Sequence, residues 1–183
     1  MKYQDYVFVF DLDNTIVQTD RANNSSYMEA IREVMNLELS FEPKKRFTRK
    51  DLFVEFPLLS NANYQKIIEI KECVYSKYIP ETILNEELVN LLKIFYYGGN
   101  RTILLTESRS HRAKQLLEYY FISDFFMDKY YYENYAEMSK YQSLILSNAV
   151  NISNIVLFEN DLDEIERAIK FGINRNQIIR IKI

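Results

Sequence analysis

The order of apolar and polar residues predicts strands and helices that alternate over the second half of the chain. Tyr6–Phe10 is a continuous apolar run rich in β-branched and aromatic side chains, which predicts a strand covered on both faces. Further strands are predicted for RTILLT, NIVLF and QIIRIKI, and a loop or short edge strand for MDKYYYEN. Helical spacing occurs in NEELVNLLKIFYYGG, SHRAKQLLEYYF, SKYQSLILSNAV and DEIERAIKFG. This alternation is typical of βαβ units and a parallel sheet.

A helical pattern interrupts the alternation directly after the first strand. The polar link QTDRANNSS precedes the predicted helix YMEAIREVMNL, with Ser25 or Ser26 as its N-cap. A short helix is predicted from about Arg49 to Phe56. A long helix is predicted over SNANYQKIIEIKECVYSKYI, and Pro80 ends it.

These patterns predict two units in a chain of 183 residues. Residues 1–16 and 81–183 are expected to form an α/β core, Rossmann-like and three-layered, around a parallel sheet. Residues 17–80 are expected to form a small all-helical cap inserted into that core. Gly98 and Gly172 are predicted to end helices of the core, Gly98 in the left-handed conformation.

Composition and charge narrow the classes of function. The net charge of −3 and the 48% of hydrophobic residues fit a domain with a core and predict no nucleic-acid or membrane partner. Cys73 is the one cysteine, so neither an intrachain disulfide nor a cysteine-rich zinc site is expected, and it is predicted to be a core residue. The N-terminal apolar run is too short for a signal peptide or membrane span, which predicts a cytoplasmic location. No oligomeric state is predicted.

Polar side chains follow three of the predicted strands. They lie in Asp11–Thr15, in Thr106–Ser108 and in Glu159–Asp161. Ligands of open parallel sheets bind beyond the carboxyl ends of the strands, so these three segments are expected to converge on one crevice. Asp11 and Asp13 alone could form an Asx turn, but the convergence favours a catalytic site.

Two aspartates at this spacing suit chemistry on phosphate esters. A carboxylate such as that of Asp11 can attack phosphorus and form an aspartyl-phosphate that water then hydrolyses. A second carboxylate, that of Asp13, can protonate the leaving oxygen and later activate water. Mg²⁺ would offset the repulsion between the anionic substrate and the nucleophile. The hydroxyls of Thr15 and Thr106 can hold phosphate oxygens, and a lysine would neutralise developing charge.

These motifs resemble those of the haloacid dehalogenase-like (HAD) hydrolases, which are mostly Mg²⁺-dependent phosphatases. VFVFDLDNT is similar to their first motif, with Asn14 where the family usually has Gly. RTILLTES resembles the second motif, and NIVLFENDLDEIERAIKFGI resembles the fourth. The helical insertion has the position of the family's helical cap. The resemblance spans essentially the whole chain, although the insertion matches in placement and helicity rather than in residues.

The resemblance implies a role for each matched residue. Asp11 would be the nucleophile and a metal ligand. Asp13 would be the general acid and base, and its main-chain oxygen would also bind the metal. The expected site residues are Asp11, Asp13, Thr106 and Lys140 for catalysis, Asn14, Thr15, Glu107 and Ser108 for substrate, and Asp11, Asp13, Glu159 and Asn160 for Mg²⁺.

The lysine of the site is not specified by spacing alone. Lys140 is the favoured candidate, because it precedes the helix that leads to the fourth motif. Lys129 and Lys114 are the alternatives, and a solvated residue at a helix start is the non-functional interpretation of Lys140. Tyr141 follows Lys140 where many relatives have Pro.

The fourth motif departs from the family pattern. Glu159 keeps a carboxylate, but Asn160 falls where many relatives have a metal-binding Asp. An uncharged amide oxygen is a poorer ligand for Mg²⁺ than a carboxylate. Asp161 and Asp163 follow, and either of them can cap the next helix.

The sequence therefore predicts a Mg²⁺-dependent phosphatase that acts on a small phosphorylated metabolite. Two alternatives stay open: a phosphomutase of the same architecture, and a non-catalytic binding protein with a degraded metal site, suggested by Asn160. Arg109 and Arg112 are further candidates for substrate contact. The basic run at 43–50 either attracts such a substrate or forms a solvated face.

Overall fold

The computed structural model describes residues 6–40, 45–135, 138–148 and 150–182. The chain separates into two compact units. The core unit comprises Met1–Val17 and Leu84–Ile183, and the helical unit comprises Gln18–Ile83. Of the basic run, residues 43 and 44 lie outside the described part of the chain.

The sheet of the core unit is parallel and has five strands in the order β5-β4-β1-β6-β7. The strands in chain order are β1 (Val7–Phe10), β2 (Val17–Gln18), β3 (Ile83–Leu84), β4 (Arg101–Leu105), β5 (Asp128–Tyr130), β6 (Ile155–Glu159) and β7 (Ile178–Arg180). Strands β2 and β3 form a separate two-stranded sheet. The predicted parallel α/β class is confirmed, and MDKYYYEN supplies the edge strand β5.

The α-helices fall into two groups, α1–α3 in the helical unit and α4–α7 in the core unit. They are α1 (Asp20–Met35), α2 (Arg49–Glu55), α3 (Asn61–Tyr78), α4 (Glu86–Tyr97), α5 (Ser110–Tyr119), α6 (Lys140–Asn148) and α7 (Leu162–Lys170). None of the helices in the described ranges has both the length and the apolar character of a membrane span.

Helices cover both faces of the sheet, which explains why β1 reads as a continuous apolar run. On one face Val9 belongs to a buried cluster with Leu144 of α6 and Ile165 of α7. On the other face Phe8 stacks on Phe95 of α4, with ring centroids 3.7 Å apart. A strand covered on both sides needs apolar residues at every position rather than at alternate ones. The core unit therefore has the three layers that were predicted.

Helix α1 begins at Asp20, inside the segment predicted to be a polar link, so the predicted N-cap at the two serines was wrong. The amide group of Asn24 accepts from the Phe47 main-chain N–H and donates to the Lys45 main-chain oxygen, both at 2.8 Å. Asn23 Nδ2 donates to the Phe47 main-chain oxygen at 2.7 Å. Because both amides bind a distant segment, they do not compete with the helical hydrogen bonds of their own backbone.

The end of α4 also differs from the prediction. Gly98 has φ of −74°, and Gly99, with φ of +75°, is the residue in the left-handed region. The prediction for Gly98 was wrong by one residue, because the helix continues through Tyr97 and turns one position later. Gly172 follows α7 with φ of +98°.

Helix α3 buries a lysine, Lys71, together with Ile67, Ile68 and Tyr75. The ammonium group of Lys71 lies 3.1 Å from Glu72 Oε1 and 5.4 Å from the ring centroid of Tyr27. Burial raises the pKa of Tyr27 to about 12. Cys73 lies on the exposed side of the same helix, so its prediction as a core residue was wrong.

Replacing Asn24 by Ala should destabilise the helical unit, because two main-chain groups at Lys45 and Phe47 lose their partner. We expect a loss of about 1–3 kcal/mol in the free energy of unfolding. Denaturant unfolding followed by circular dichroism measures it. Asn63→Ala, at an exposed position of α3, is the matched control and should change stability by less than about 0.5 kcal/mol. Equal effects of the two substitutions would contradict this role.

Candidate active site

A tight turn follows β1 and carries the first two candidate acids. The main-chain oxygen of Leu12 accepts from the N–H groups of Ile16 and Val17, both at 3.0 Å. Asn14 has φ of 58°, and its N–H donates to the Val17 oxygen at 2.7 Å. Asparagine tolerates this left-handed conformation better than most residues with a side chain. The turn therefore forms without the glycine usual in the family's first motif.

Asp11 is buried at the carboxyl end of β1. Its N–H donates to the Phe158 oxygen at 3.0 Å, which continues the pairing of β1 with β6. Its Oδ2 accepts from Thr15 Oγ1 at 3.1 Å, and its Oδ1 lies 3.3 Å from Lys140 Nζ. Burial raises the pKa of Asp11 well above its usual range, repulsion from Glu159 adds to the rise, and Lys140 opposes it.

Lys140 is the first residue of α6 and is almost completely buried. Its ammonium group lies 2.8 Å from Glu159 Oε2, 3.3 Å from Asp11 Oδ1 and 3.5 Å from Glu164 Oε2. Burial alone would lower the pKa of Lys140, but attraction to Asp11 and Glu159 outweighs burial and holds it well above its usual value. Lys140 is therefore a protonated cation within the site, not a solvated residue at a helix start.

The two alternative lysines make their contacts elsewhere. Lys129 Nζ donates to the Phe126 main-chain oxygen at 3.1 Å. Lys114 is exposed, and its ammonium group lies 5.8 Å from the ring centroid of Tyr131. Of the three candidates, Lys140 is the one that the fold brings to Asp11.

Glu159, at the end of β6, has protein donors on both carboxylate oxygens. Oε2 accepts from Lys140 Nζ at 2.8 Å and from the Tyr141 hydroxyl at 3.2 Å. Oε1 accepts from the main-chain N–H groups of Asn160 at 2.9 Å and Asp161 at 3.1 Å. Through these four contacts Glu159 holds Lys140, Tyr141 and the start of the turn that follows β6.

The residues after Glu159 divide between the site and the next helix. Thr15 Oγ1 lies 3.0 Å from Asn160 Oδ1 and 3.1 Å from Asp11 Oδ2, so the three side chains are neighbours. Asp161 is the N-cap of α7, because its Oδ1 accepts from the Asp163 N–H at 2.7 Å. Asp161 therefore has the capping role that the sequence left open for it.

Asp13 contacts residues on either side of the start of α5. Its Oδ2 accepts from Arg112 Nη2 at 2.7 Å and from the Ser108 hydroxyl. Arg112 Nη2 also donates to Ser108 Oγ. The Ser108 N–H donates to Thr106 Oγ1 at 3.1 Å, which links the second polar strand end to Asp13.

Thr106 is buried directly after β4, beside the edge strand β5. Its N–H donates to the Tyr130 oxygen at 3.1 Å, and its main-chain oxygen accepts from the Tyr135 hydroxyl at 2.9 Å. Burial raises the pKa of Tyr135, so this hydroxyl stays a donor. Glu107, the next residue, is exposed.

The fold thus brings most of the predicted site residues into two hydrogen-bond networks, one around Asp11 and one around Asp13. Sequence reasoning missed two contributors. The sequence shows Tyr141 as a departure from proline but does not predict that it donates to Glu159. Arg112 was considered a substrate contact but not a partner of Asp13, although its i, i+4 spacing from Ser108 could have suggested a pair.

Solved structures of similar fold cover nearly all of the chain. A haloacid dehalogenase-like hydrolase from Streptococcus pneumoniae has a TM-score of 0.77 at 16% identity, over 100% of this chain and 86% of that one. A candidate β-phosphoglucomutase from Thermotoga maritima has a TM-score of 0.72 at 18% identity, over 97% of this chain and 86% of that one. CbbY from Rhodobacter sphaeroides, solved with phosphate, has a TM-score of 0.77 at 14% identity, over 93% of this chain and 84% of that one.

No protein-family sequence model and no curated protein sequence matches the chain. At these identities the structural likeness establishes the fold, which is that of the HAD-superfamily hydrolases. The fold expected from the motifs is therefore confirmed. The chemistry must be argued from the site itself.

Replacing Asp11 by Asn should raise the Tm in buffer without divalent metal. The folded-state pKa of Asp11 lies above its unfolded value, so wild-type stability falls as the pH rises through that interval. The increase in Tm of Asp11→Asn over wild type should reach its full size above the raised pKa. It should be absent below about pH 4, the ordinary aspartate pKa. For a chain of this size, 1 kcal/mol corresponds to about 2–4 °C.

Calorimetry between acidic and neutral pH measures the effect. Asp163→Asn, at an exposed position in the first turn of α7, is the control and should leave the Tm nearly unchanged. A lower Tm for Asp11→Asn than for wild type at neutral pH would contradict the assigned burial penalty.

Proposed function

We propose that this protein is a Mg²⁺-dependent phosphohydrolase that acts on a small phosphorylated metabolite through an aspartyl-phosphate on Asp11. The observation that carries the proposal is the ion pair of buried Asp11 and Lys140, at 3.3 Å, beside a second carboxylate two residues along the same turn. A purely structural turn does not need a buried carboxylate whose charge is disfavoured by its surroundings. Such perturbed acids are typical of catalytic sites.

The structural neighbours support this class of substrate. CbbY was solved with phosphate, and a substituted form of it with xylulose 1,5-bisphosphate. The neighbour from Streptococcus pneumoniae is named a hydrolase. We infer that the corresponding crevice of this chain also accepts a phosphorylated small molecule.

In the first step, an oxygen of Asp11 bonds to phosphorus while the bond from phosphorus to the leaving oxygen breaks. The Asp13 carboxyl group gives its proton to that leaving oxygen. Lys140 stabilises negative charge that develops on the phosphoryl group, because its ammonium group already lies beside Asp11. Thr106 and Thr15 are proposed to contact phosphoryl oxygens.

In the second step, Asp13 takes a proton from water as the water oxygen bonds to phosphorus. The bond between phosphorus and Asp11 breaks, and inorganic phosphate is released. The proton that Asp13 gave to the leaving group is thereby replaced. One molecule of water is consumed for each ester bond broken.

The oxygen atoms near Asp11 suit weak coordination of Mg²⁺. The described residues contain no group of three or more His, Cys, Asp or Glu side chains arranged for a metal. Mg²⁺ needs only one or two carboxylates when waters and phosphate oxygens complete its shell. Asp11, Asn160 and the main-chain oxygen of Asp13 would hold it, and it would neutralise charge on the phosphate and the nucleophile.

The resemblance implies that Glu159 is a metal ligand, but its contacts support a different role. Both of its oxygens accept hydrogen bonds from protein donors. A metal would have to replace at least one of these donors. We propose that Glu159 acts through Lys140 by fixing the position of its ammonium group.

Two alternatives have support of their own. The β-phosphoglucomutase-like neighbour favours a phosphomutase, in which the phosphoryl group of Asp11 passes to a sugar rather than to water. Asn160 favours a non-catalytic phosphate-binding protein, because the site has one charged metal ligand fewer than the family pattern. Product analysis distinguishes the first alternative, and turnover of any ester excludes the second.

Asp11→Asn should abolish turnover, because an amide cannot form the acyl-phosphate. We expect a loss of at least about 10³-fold in kcat for 4-nitrophenyl phosphate with Mg²⁺. Asp163→Asn, which removes an exposed carboxylate, is the control and should keep wild-type kcat. Wild-type protein should also incorporate acid-stable, base-labile phosphate during turnover. Mg²⁺-dependent activity that persists in Asp11→Asn would exclude this mechanism.

Asn160→Asp should strengthen Mg²⁺ binding by adding a charged oxygen beside Asp11. The Mg²⁺ concentration for half-maximal activity should fall on the order of tenfold. Isothermal titration of Mg²⁺ provides a second measurement that does not depend on turnover. Asn151→Asp, which adds a carboxylate at an exposed position, is the matched control. An unchanged Mg²⁺ requirement would show that residue 160 is not a ligand.

A further inference from the structure

The carboxylate of Asp13 has a cation of its own, separate from the lysine that pairs with Asp11. Arg112 Nη2 lies 2.7 Å from Asp13 Oδ2, and the Arg112 side chain is only 9% exposed. The Ser108 hydroxyl bonds to the same Asp13 oxygen and to the same Arg112 nitrogen. The three groups form a closed triangle around one oxygen of the proposed acid and base.

The two partners of Asp13 are held by the core on several sides. The Ser108 N–H donates to Thr106 Oγ1, and the Ser108 oxygen accepts from the Tyr132 N–H, both at 3.1 Å. The start of α5 is fixed by Glu133, whose Oε2 accepts from the Ser110 N–H at 3.0 Å. Further along α5, three apolar side chains are buried, those of Ala113, Leu116 and Leu117.

We propose that Arg112, together with Ser108, is the positioning residue for Asp13 in the proposed phosphohydrolase reaction. The inference rests on the proposed function, because it concerns the orientation of the acid and base of that reaction. Asp13 lies in the turn after β1, and Arg112 and Ser108 both donate to its Oδ2. Charge-assisted hydrogen bonds from two fixed donors restrict this carboxylate to one orientation.

Arginine suits this task better than lysine. Its guanidinium group stays protonated and presents donors in a rigid planar fork, so one nitrogen can reach Asp13 and Ser108 together. A direct phosphate contact explains the geometry less well, because the guanidinium group is buried and already bonded to Asp13. The arrangement assigns one cation to each acid, Lys140 from α6 to Asp11 and Arg112 from α5 to Asp13.

The test uses two esters that differ in their need for an acid. An alkyl phosphate such as glycerol 2-phosphate needs its leaving oxygen protonated, whereas 4-nitrophenolate leaves without a proton. Because kcat/KM reports the first chemical step, Arg112→Gln should lower it about 100-fold for the alkyl ester and less than about 10-fold for the aryl ester. Ser108→Ala should show the same selectivity with a smaller loss.

Three further variants separate positioning from a general structural effect. Arg112→Lys should recover part of the activity on the alkyl ester, because one charged donor returns. Arg112→Gln placed in an Asp13→Asn background should cause little further loss, because the two residues act as one unit. Lys114→Gln removes an exposed positive charge from the same helix and should match wild type for both esters. Thermal unfolding of each variant checks that the fold is retained.

The outcomes separate this inference from the proposed function. Equal losses of Arg112→Gln on the two esters, or additive losses with Asp13→Asn, would overturn the role of Arg112 and leave the phosphohydrolase assignment in place. Absence of wild-type hydrolysis of either ester with Mg²⁺ would overturn both. Selective loss on the alkyl ester, without additivity, would support the inference.

Discussion

The ammonium group of Lys140 is the interaction on which the rest of the site depends, because it lies between two buried carboxylates. Glu159 at 2.8 Å and Asp11 at 3.3 Å end the adjacent strands β6 and β1, so their charges would repel each other without it. Replacing Lys140 by an uncharged residue would cost about 3–5 kcal/mol, the typical penalty for a buried charge left without its partner, because both carboxylates would lose their compensation, whereas without the Asp11 charge Lys140 still pairs with Glu159. The pairing of β1 with β6 and the placement of α6 are therefore requirements of the site as well as of the fold.

The same arrangement shows that the site is not optimised for stability alone. Even with Lys140 present, burial and Glu159 keep the charged form of Asp11 disfavoured. A fully apolar strand end would avoid that penalty. The fold therefore keeps an ionisable group at a position where it lowers the stability of the protein. A cation and a phosphate group placed beside Asp11 would change its surroundings, which is the usual reason for such groups at catalytic sites.

The sequence predicted those features that depend on local periodicity and on strand order. Continuous apolar runs predicted buried parallel strands, and the polar residues after them predicted where Asp11, Thr106 and Glu159 would meet. It failed for Asn24 and Arg112, whose partners lie far along the chain. The amide of Asn24 is satisfied by the main chain of Phe47, and no local signal distinguishes it from a loop asparagine. The Arg112 contact with Asp13 likewise depends on how α5 lies against the turn after β1, which spacing does not specify.

Asn160 can be understood from the same balance of charges. Its amide oxygen and Asp11 Oδ2 both lie within about 3 Å of the Thr15 hydroxyl, at 3.0 and 3.1 Å. An aspartate at this position would add a further carboxylate next to Asp11, whose charge is already disfavoured by burial and by Glu159. The amide avoids that repulsion but gives up one charged ligand for Mg²⁺. We therefore expect Asn160 to lower the repulsion around Asp11 at the expense of Mg²⁺ affinity, and Lys140 is the permanent positive charge that a phosphate group would meet.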